Sequence, residues 1–223
     1  MRQIVLDTET TGLEPALGHR IIEIGCVELV NRRVTGRNFH RYLNPERDID
    51  LGAEAVHGLQ RQDLARQPRF VEVADDLLEF IGGSELVIHN AEFDIAFLDM
   101  ELRRAGRTTV MSELCRVLDT LVLAREMHPG QRNNLDALCK RYSVDNSRRE
   151  LHGALLDARI LADVYLAMTG GQGALALTEV SSSTILGVGQ IRALVRPPAP
   201  LRVIAATEQE LRAHRDMLAL IAK

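Results

Sequence analysis

The chain of 223 residues contains no tryptophan, and only 4% of its residues are aromatic. The flat aromatic side chains on which single-strand binding proteins stack successive bases are therefore scarce. The net charge of −4 argues against a broad basic groove that would grip duplex DNA unaided. A nucleic acid would have to be delivered by a partner, or be held over only a few nucleotides.

Cysteine is also scarce, and Cys26, Cys115 and Cys139 are far apart in the sequence. They indicate neither a disulfide framework nor a metal site with closely spaced thiols. Reduced thiols fit a cytoplasmic protein best. The first residues show no signal peptide, and no apolar run approaches the length that spans a membrane. We therefore expect a cytoplasmic protein that does not contact a membrane.

Short apolar runs alternate with helical patterns over residues 1–170. Strands are predicted at 3–6, 20–30, 35–43, 85–89 and 116–118. Helices are predicted at 71–81, from Asn90 to about 105, from Asp119 onward, at 135–142 and at 154–168, with Asn90 and Asn134 as N-caps. This order predicts an α/β fold in which helices flank a mixed sheet.

The pattern changes after residue 169, where a glycine-rich break is followed by a stretch rich in Ser, Gly and Pro. Such a composition predicts a flexible linker over residues 171–206. Thr207 and Glu210 form a capping box that predicts a short terminal helix within 207–223. A helix of this length has no core of its own, so we expect it to dock on a partner chain. A frayed or self-docked terminus is the alternative.

Four acids and one histidine occur in three short motifs: Asp7 and Glu9 in DTETTG, Asp94 in HNAEFD, and His152 and Asp157 in HGALLD. Four carboxylates gathered at one point would repel one another and destabilise the fold. Hard divalent cations such as Mg²⁺ or Mn²⁺ would remove that cost. A nearby histidine can accept a proton from water near neutral pH. Metals together with a base predict hydrolysis of a phosphate ester.

The predicted elements bring these residues together. Asp7 and Glu9 are two residues apart at the end of a strand, so they share a face. Asp94 lies in the first turn of a helix at the carboxyl edge of the sheet, where α/β sites are common. A spacing of five keeps His152 and Asp157 off a common helix face, so we predict His152 on a loop and Asp157 on the following helix. Taken singly, each residue also has a purely structural explanation.

In their order and spacing, the three motifs resemble those of the DEDDh 3′–5′ exonucleases of the ribonuclease-H-like superfamily. The resemblance covers about residues 1–170. The stretches VIHNAEFDIAFLDMEL and LHGALLDARILADVYLAMTGGQ resemble most the branch that proofreads for bacterial replicative DNA polymerases. This resemblance implies a metal-dependent exodeoxyribonuclease that removes nucleotides from a 3′ end and releases them as 5′-monophosphates.

The resemblance also implies a role for each motif residue. Asp7, Glu9 and Asp157 would hold one of two Mg²⁺ or Mn²⁺ ions, with Asp7 bridging to the second. Asp94 would complete the acidic set, partly through water, and His152 would be the general base. The implied substrate-binding residues are Asp7, Glu9, Thr10, His57, Asn90 and Asp157.

The implied partners are single-stranded or frayed 3′ DNA ends, the polymerase catalytic subunit, a sliding clamp and a small accessory subunit. The terminal segment would contact the polymerase, and the accessory subunit would bind the exonuclease domain. The sequence QGALAL matches a clamp-binding motif loosely through Gln172, Leu175 and Leu177. It lacks the terminal aromatic residue, so binding would be weak and would depend on the linker to raise the effective concentration.

Two alternatives remain open. The same metals cleave RNA, so the active site does not exclude an exonuclease that trims small RNAs or tRNA. A non-catalytic adaptor between the polymerase and the clamp is a third hypothesis, but an adaptor would not need all five chemical residues, and the chain retains every one.

Overall fold

The computed structural model describes residues 1–147, 149, 151–170 and 206–221. The first part and the terminal helix belong to separate units and are considered separately. The proposed clamp-binding residues Gln172, Leu175 and Leu177 lie outside the described residues. The division of the chain at residues 170 and 206 stays a prediction.

Five strands form one mixed sheet in the order β3-β2-β1-β4-β5. Strand β1 is antiparallel to β2 and parallel to β4, while β2 is antiparallel to β3 and β4 is parallel to β5. The prediction of a mixed sheet is therefore confirmed. The strands are β1 (Arg2–Thr10), β2 (Ile21–Val30), β3 (Arg33–Tyr42), β4 (Glu85–Ile88) and β5 (Arg116–Asp119).

The predicted end of the first strand was wrong. Strand β1 does not stop at Leu6 but continues to Thr10, because residues 7–10 keep pairing with β2 in the antiparallel ladder. The ladder shifts register between Glu9 and Thr10. Asp7 and Glu9 consequently lie within the strand, where the pairing with β2 fixes their backbone.

Helices of the 1–170 part cover both faces of the sheet. The longer ones agree with the predicted ranges within about one residue, whereas three helices of four to seven residues were missed because they are too short to show a helical period. The helices are α1 (Leu51–His57), α2 (Arg61–Leu64), α3 (Phe70–Ile81), α4 (Ala91–Arg104), α5 (Met111–Leu114), α6 (Thr120–Met127), α7 (Leu135–Tyr142) and α8 (Ala154–Thr169).

The central strand β1 is buried on both faces, as its apolar run predicted. Ile4 and Leu6 pack with α3 and α4 in one hydrophobic cluster, while Val5 packs with α7 and α8 in the other. All three side chains are fully buried. Burial of each aliphatic side chain stabilises the fold by roughly 1.5–3 kcal/mol. Strand β1 therefore contributes to both cores, as do its neighbours β2 and β4.

Helix α8 lies directly on strand β2 at Gly25. A Cβ atom at this residue would be 2.2 Å from the backbone of Ala154, the first residue of α8. Gly25 is the partner of Asp7 in the β1–β2 ladder. The missing side chain therefore lets the first turn of α8, which carries Asp157, lie beside Asp7.

The terminal unit contains helix α9 (Glu208–Ile221). Its predicted capping box is confirmed: the Thr207 amide donates to Glu210 Oε2 at 2.7 Å, and the Glu210 amide donates to Thr207 Oγ1 at 3.3 Å. Leu211, Met217 and Leu218 are exposed on this helix. Across the residues that the structure describes, no helix combines the length and apolar character needed to cross a membrane.

Candidate active site

Three of the predicted residues form a tight group at the carboxyl end of β1. Glu9, His152 and Asp157 each offer a ligand atom, and these atoms lie within 4.8 Å of one another. Glu9 and Asp157 are buried, whereas His152 is exposed. This arrangement of two carboxylates and an imidazole can hold a metal ion.

Asp7 and Asp94 complete the acidic set. Asp7 lies two residues before Glu9 on β1, and Asp94 is buried in the first turn of α4. The Asp94 carboxylate accepts a hydrogen bond of 2.7 Å from the Thr8 hydroxyl, which ties α4 to β1. The negative charge of Asp94 acts directly on Asp7 and helps to raise the pKa of the Asp7 carboxyl. The four predicted acids are thus brought together.

The electrostatics of the cluster are unfavourable without a counter-cation. Burial, together with the charge of Asp157 and other acids, raises the pKa of Glu9 to about 8. Burial also raises the pKa of Asp94 to about 7, and it raises the pKa of Asp7 well above its ordinary value, with Asp94, Glu9 and Asp157 adding to the shift. Convergent carboxylates that repel one another in a buried place fit Mg²⁺ or Mn²⁺, which prefer oxygen ligands.

Asp157 behaves differently from the other three acids. Burial alone would raise the pKa of its carboxyl, but hydrogen bonds from His152 and Arg149 outweigh burial and hold the pKa below its ordinary value. Arg149 donates to both oxygens, from Nε to Oδ1 at 2.6 Å and from Nη2 to Oδ2 at 2.7 Å. A two-point ion pair of this kind is the strongest form of the arginine–carboxylate interaction.

Sequence reasoning missed Arg149. Two signals could have indicated it. Arg149 lies three residues before His152, and four clustered acids require a nearby positive charge. The structure shows its guanidinium nearly buried between Asp157 and Asp136, with Nη1 2.7 Å from Asp136 Oδ1. It also lies 3.0 Å from His152 Nδ1. Arg149 thus contacts a predicted metal ligand and the predicted base together.

His152 lies on a loop just before α8, as predicted from its spacing to Asp157. Its Nδ1 is 3.2 Å from Asp157 Oδ2. The His152 amide donates to the Val56 carbonyl at 3.1 Å, and Leu151 packs so closely on Gly58 that a Cβ there would be 2.6 Å from its methyl group. The histidine loop is therefore fastened to the end of α1.

His57 lies at the end of α1, close enough for the charge of His152 to affect it. Its Nδ1 accepts a hydrogen bond of 3.0 Å from the Leu59 amide, so the hydrogen of the neutral ring is on Nε2. That Nε2 is buried and makes no hydrogen bond of good geometry among the described residues, although the Thr10 backbone lies close enough to act on the ring and raise its pKa. Burial lowers the pKa of His57, so the ring is neutral near pH 7. A buried donor without a well-aligned partner at this place is suited to a substrate oxygen.

The turn after β1 is held by its own side chains. The Thr10 hydroxyl donates to the Gly12 carbonyl at 2.7 Å, so its proton is already used. The His19 ring lies against Gly12, where a Cβ would be 2.2 Å from a ring carbon. Asp50 donates its amide to the Thr11 carbonyl at 3.0 Å, which joins this turn to the start of α1.

Asn90 is at the N-cap position of α4, but its side chain does not cap the helix. Its backbone adopts the left-handed conformation, with φ of 67°, which asparagine tolerates better than most residues. The side chain is exposed near Asp94 and free for other contacts. The prediction of an Asn90 cap was therefore right in position and wrong in the hydrogen bond.

Asp119 supplies the missing cap. Its carboxylate accepts hydrogen bonds from the Asn90 and Ala91 amides at the start of α4, at 3.2 and 2.9 Å. It also accepts from the Leu121 and Val122 amides at the start of α6, at 2.7 and 3.3 Å. One carboxylate thus joins two helix N-termini and sets the position of α4. The sequence had left the role of Asp119 open.

Comparison with known proteins gives a consistent family relationship. A family model described as exonuclease, of the RNase T type, matches residues 4–165. DNA polymerase III subunit epsilon of Escherichia coli (strain K12) is 53% identical over 228 residues, which covers 100% of this chain and 94% of that protein. The protein of the same name from Rickettsia felis is 50% identical over 226 residues, with coverage of 100% and 98%.

Solved structures agree with this relationship. Exonuclease X in complex with 5′ overhanging duplex DNA matches with a TM-score of 0.58 and 26% identity, over 75% of this chain and 91% of that chain. The zinc-bound E. coli exonuclease I complex with single-stranded DNA matches with a TM-score of 0.64 and 18% identity, over 75% and 39% of the two chains. The second match, at this low identity, shows the shared fold alone.

Proposed function

The chain belongs to the RNase T exonuclease family, and from this membership we propose that it is the 3′–5′ proofreading exonuclease of a bacterial replicative DNA polymerase. The reaction is hydrolysis of the 3′-terminal phosphodiester of DNA, which releases a nucleoside 5′-monophosphate. The observation that supports it most strongly is the grouping of four carboxylates with His152 at one edge of the sheet.

The acids are the residues that would hold the metal ions. Asp7, Glu9 and Asp157 would bind one Mg²⁺ or Mn²⁺, Asp7 would bridge to a second, and Asp94 would complete the set. When bound, the ions neutralise the carboxylates and stabilise the attacking and leaving oxygens at the phosphate. The raised pKa values of Asp7, Glu9 and Asp94 support this assignment, because Arg149 pairs directly with Asp157 only and does not offset the burial and mutual repulsion of these three acids.

His152 would act as the general base. Its Nδ1 faces Asp157, so Nε2 is the nitrogen available to take a proton from water. Asp157 would hold the ring in orientation and stabilise the imidazolium that forms, as a carboxylate does for histidine in other hydrolases. The exposure of His152 supports a base that meets water and substrate at the surface of the site.

Three further residues would position the strand end. Thr10 fixes the turn after the acidic strand, His57 presents a buried donor at Nε2, and the exposed Asn90 amide lies at the start of α4. A net charge of −4 favours contact with only a few nucleotides. Single-stranded or frayed 3′ ends are therefore the proposed substrates.

The partners follow from the relatives, which are named as subunits of DNA polymerase III. The terminal helix α9 exposes Leu211, Met217 and Leu218, an apolar set that would suit the polymerase subunit. Gln172, Leu175 and Leu177 would bind the sliding clamp weakly, and a small accessory subunit would bind the exonuclease domain. Replication takes place in the bacterial cytoplasm, which is the proposed location.

A direct test uses the purified full chain with Mg²⁺ and a labelled primer. A mismatched 3′ end should be shortened faster than a paired one, and an Asp7→Ala/Glu9→Ala double variant should be inactive on both. Equal rates on mismatched and paired ends would contradict proofreading. A matched RNA primer that is degraded faster than DNA would favour the RNA-trimming alternative instead.

A further inference from the structure

The guanidinium of Arg149 binds the carboxylate of Asp157, which is also a ligand of the proposed metal site. It binds Oδ1 and Oδ2 of Asp157 together, so a cation that Asp157 ligates must share or displace these contacts. Two positive charges cannot bind the same pair of oxygens without strong repulsion, and the repulsion is larger in a buried site than in water. Both Asp157 and the Arg149 side chain are almost entirely buried.

Arg149 also restrains His152. Its Nη2 is 3.0 Å from His152 Nδ1 and 2.7 Å from Asp157 Oδ2, so one nitrogen faces both side chains. The three groups form a closed triangle, since His152 Nδ1 is itself 3.2 Å from Asp157 Oδ2. While this triangle is intact, both oxygens of the carboxylate and Nδ1 of the imidazole are engaged, and only Nε2 of the ring is left to other partners.

The guanidinium has a second anchor outside the acidic cluster. Nη1 is 2.7 Å from Oδ1 of Asp136, in the first turn of α7, and the Asp136 side chain is half exposed. The same oxygen accepts a hydrogen bond of 3.1 Å from the Asn146 side chain. Because Asp136 is not part of the metal cluster, Arg149 can release Asp157 and still keep one ion pair.

We propose that Arg149 exchanges with the metal ion at Asp157 and thereby couples metal loading to the release of His152 Nδ1 from the guanidinium. In the structure, Arg149 holds Asp157 and His152 in the triangle. When a divalent cation binds Asp157, the guanidinium withdraws to Asp136 and no longer contacts Nδ1 of His152. Arg149 is thus a positioning residue that acts through Asp157 and His152.

Charge in the site supports this exchange. Four carboxylates carry −4, and two divalent cations would balance them completely. A guanidinium left among them would then be an excess cation with no carboxylate of its own, whereas Asp136 offers it one at the edge of the site. The ion pair with Asp136 keeps the Arg149 side chain at the edge of the acidic cluster.

The inference rests on the proposed metal site, and calorimetric titration of the full chain with Mn²⁺ tests both. The variant Arg149→Gln should bind Mn²⁺ more tightly than the wild type by roughly 10-fold to 100-fold, the strength expected of a lost competitor that hydrogen-bonds a charged group. Arg149→Lys keeps the charge but cannot form the two-point pair, so its affinity should be intermediate.

The matched control is Arg159→Gln, which removes an exposed arginine two residues beyond Asp157 on α8. It should leave Mn²⁺ affinity at the wild-type value. Mn²⁺ binding that is unchanged or weaker in Arg149→Gln overturns the exchange while leaving the metal site intact. Absence of binding by the wild type and the variant alike overturns both the exchange and the metal site.

Thermal unfolding provides a second readout that a merely structural arginine would not produce. In EDTA, Arg149→Gln should unfold at a lower temperature than the wild type, because the triangle is lost. In saturating Mn²⁺ that difference should shrink or disappear, since Arg149 would no longer hold Asp157 in the wild type and the variant would bind the ion more tightly. An equal deficit with and without Mn²⁺ would contradict the exchange.

Discussion

Gly25 of β2 and Ala154 of α8 are in direct backbone contact, and this contact places Asp157 next to Asp7. A Cβ atom at residue 25 would lie 2.2 Å from the carbonyl carbon of Ala154, a distance that real atoms do not adopt. The acids of the first and last motifs are 150 residues apart in sequence. A position without a side chain therefore decides whether they can share a cation.

We expect Gly25→Ala to lose exonuclease activity and Mn²⁺ binding together, because the added methyl group pushes α8 away from β2. Overpacking at such a contact should also lower the free energy of unfolding by about 1–3 kcal/mol. Urea unfolding and calorimetry measure the two effects. The matched control is Gly52→Ala on α1, where a Cβ meets nothing within 4 Å. Wild-type Mn²⁺ affinity in Gly25→Ala would contradict the proposed spacing.

His152→Ala should lower turnover by roughly 10²–10⁴-fold, the usual contribution of a general base. Mn²⁺ binding should persist, because Asp7, Glu9 and Asp157 keep their oxygens. Single-turnover hydrolysis of a labelled DNA end separates this chemical step from product release. His214→Ala, an exposed histidine on α9, serves as the control. A variant that hydrolyses at the wild-type rate would exclude His152 as the base.

The stability of the metal-free chain should fall as the pH rises. The pKa of Glu9 is raised to about 8 and that of Asp94 to about 7, against ordinary values of 4.5 and 3.8. A carboxyl with a raised pKa holds its proton more tightly in the folded state, so its contribution is complete below about pH 4 and is lost by about pH 8. Thermal unfolding in EDTA across this range measures the effect.

The variant Asp7→Asn/Glu9→Gln isolates the contribution of the acids to that fall. His57 and His89, whose pKa values are lowered by burial, act in the opposite direction but are common to both proteins. The decline in melting temperature should be smaller in the variant than in the wild type. Saturating Mn²⁺ should suppress it in the wild type. Identical pH profiles for the two proteins in EDTA would contradict the expected repulsion.

Asp119→Ala should reduce both stability and activity, although Asp119 is not among the four clustered acids. Its carboxylate accepts from four backbone amides at the starts of α4 and α6, and loss of a helix cap typically costs about 0.5–2 kcal/mol. Activity should fall because α4 carries Asp94. Chemical unfolding and exonuclease assays measure both changes. Asp163→Ala, at an exposed site on α8, should be close to neutral.

Most of the fold follows from local sequence patterns. The buried run before Asp7 predicted the central strand, and the break at Gly153 separated His152 from the helix that carries Asp157, as the structure confirms. The three motifs predicted the acids of the candidate site, because binding a metal ion requires these residue types. Patterns of this kind depend on residues a few positions apart, so the sequence alone is enough to predict them.

The parts that escaped prediction depend on contacts between distant segments. The role of Arg149 depends on its ion pairs with Asp136 on α7 and Asp157 on α8. Hydrophobic periodicity in the sequence does not predict ion pairs of that kind. Asp119 is assigned as a double cap only when the starts of α4 and α6 are seen to meet. Helices α2 and α5 contain four residues each, too few to repeat a helical pattern.

Helix α1 carries none of the four clustered acids, yet it connects the turn after the acidic strand to the loop of His152. Its start is bonded through the Asp50 amide to the Thr11 carbonyl, and its end through the Val56 carbonyl to the His152 amide. These seven residues therefore set how far the imidazole stands from the acidic strand. A longer α1 would therefore move His152 away from the acidic strand and make room for a bulkier nucleotide, while the four clustered carboxylates kept their positions.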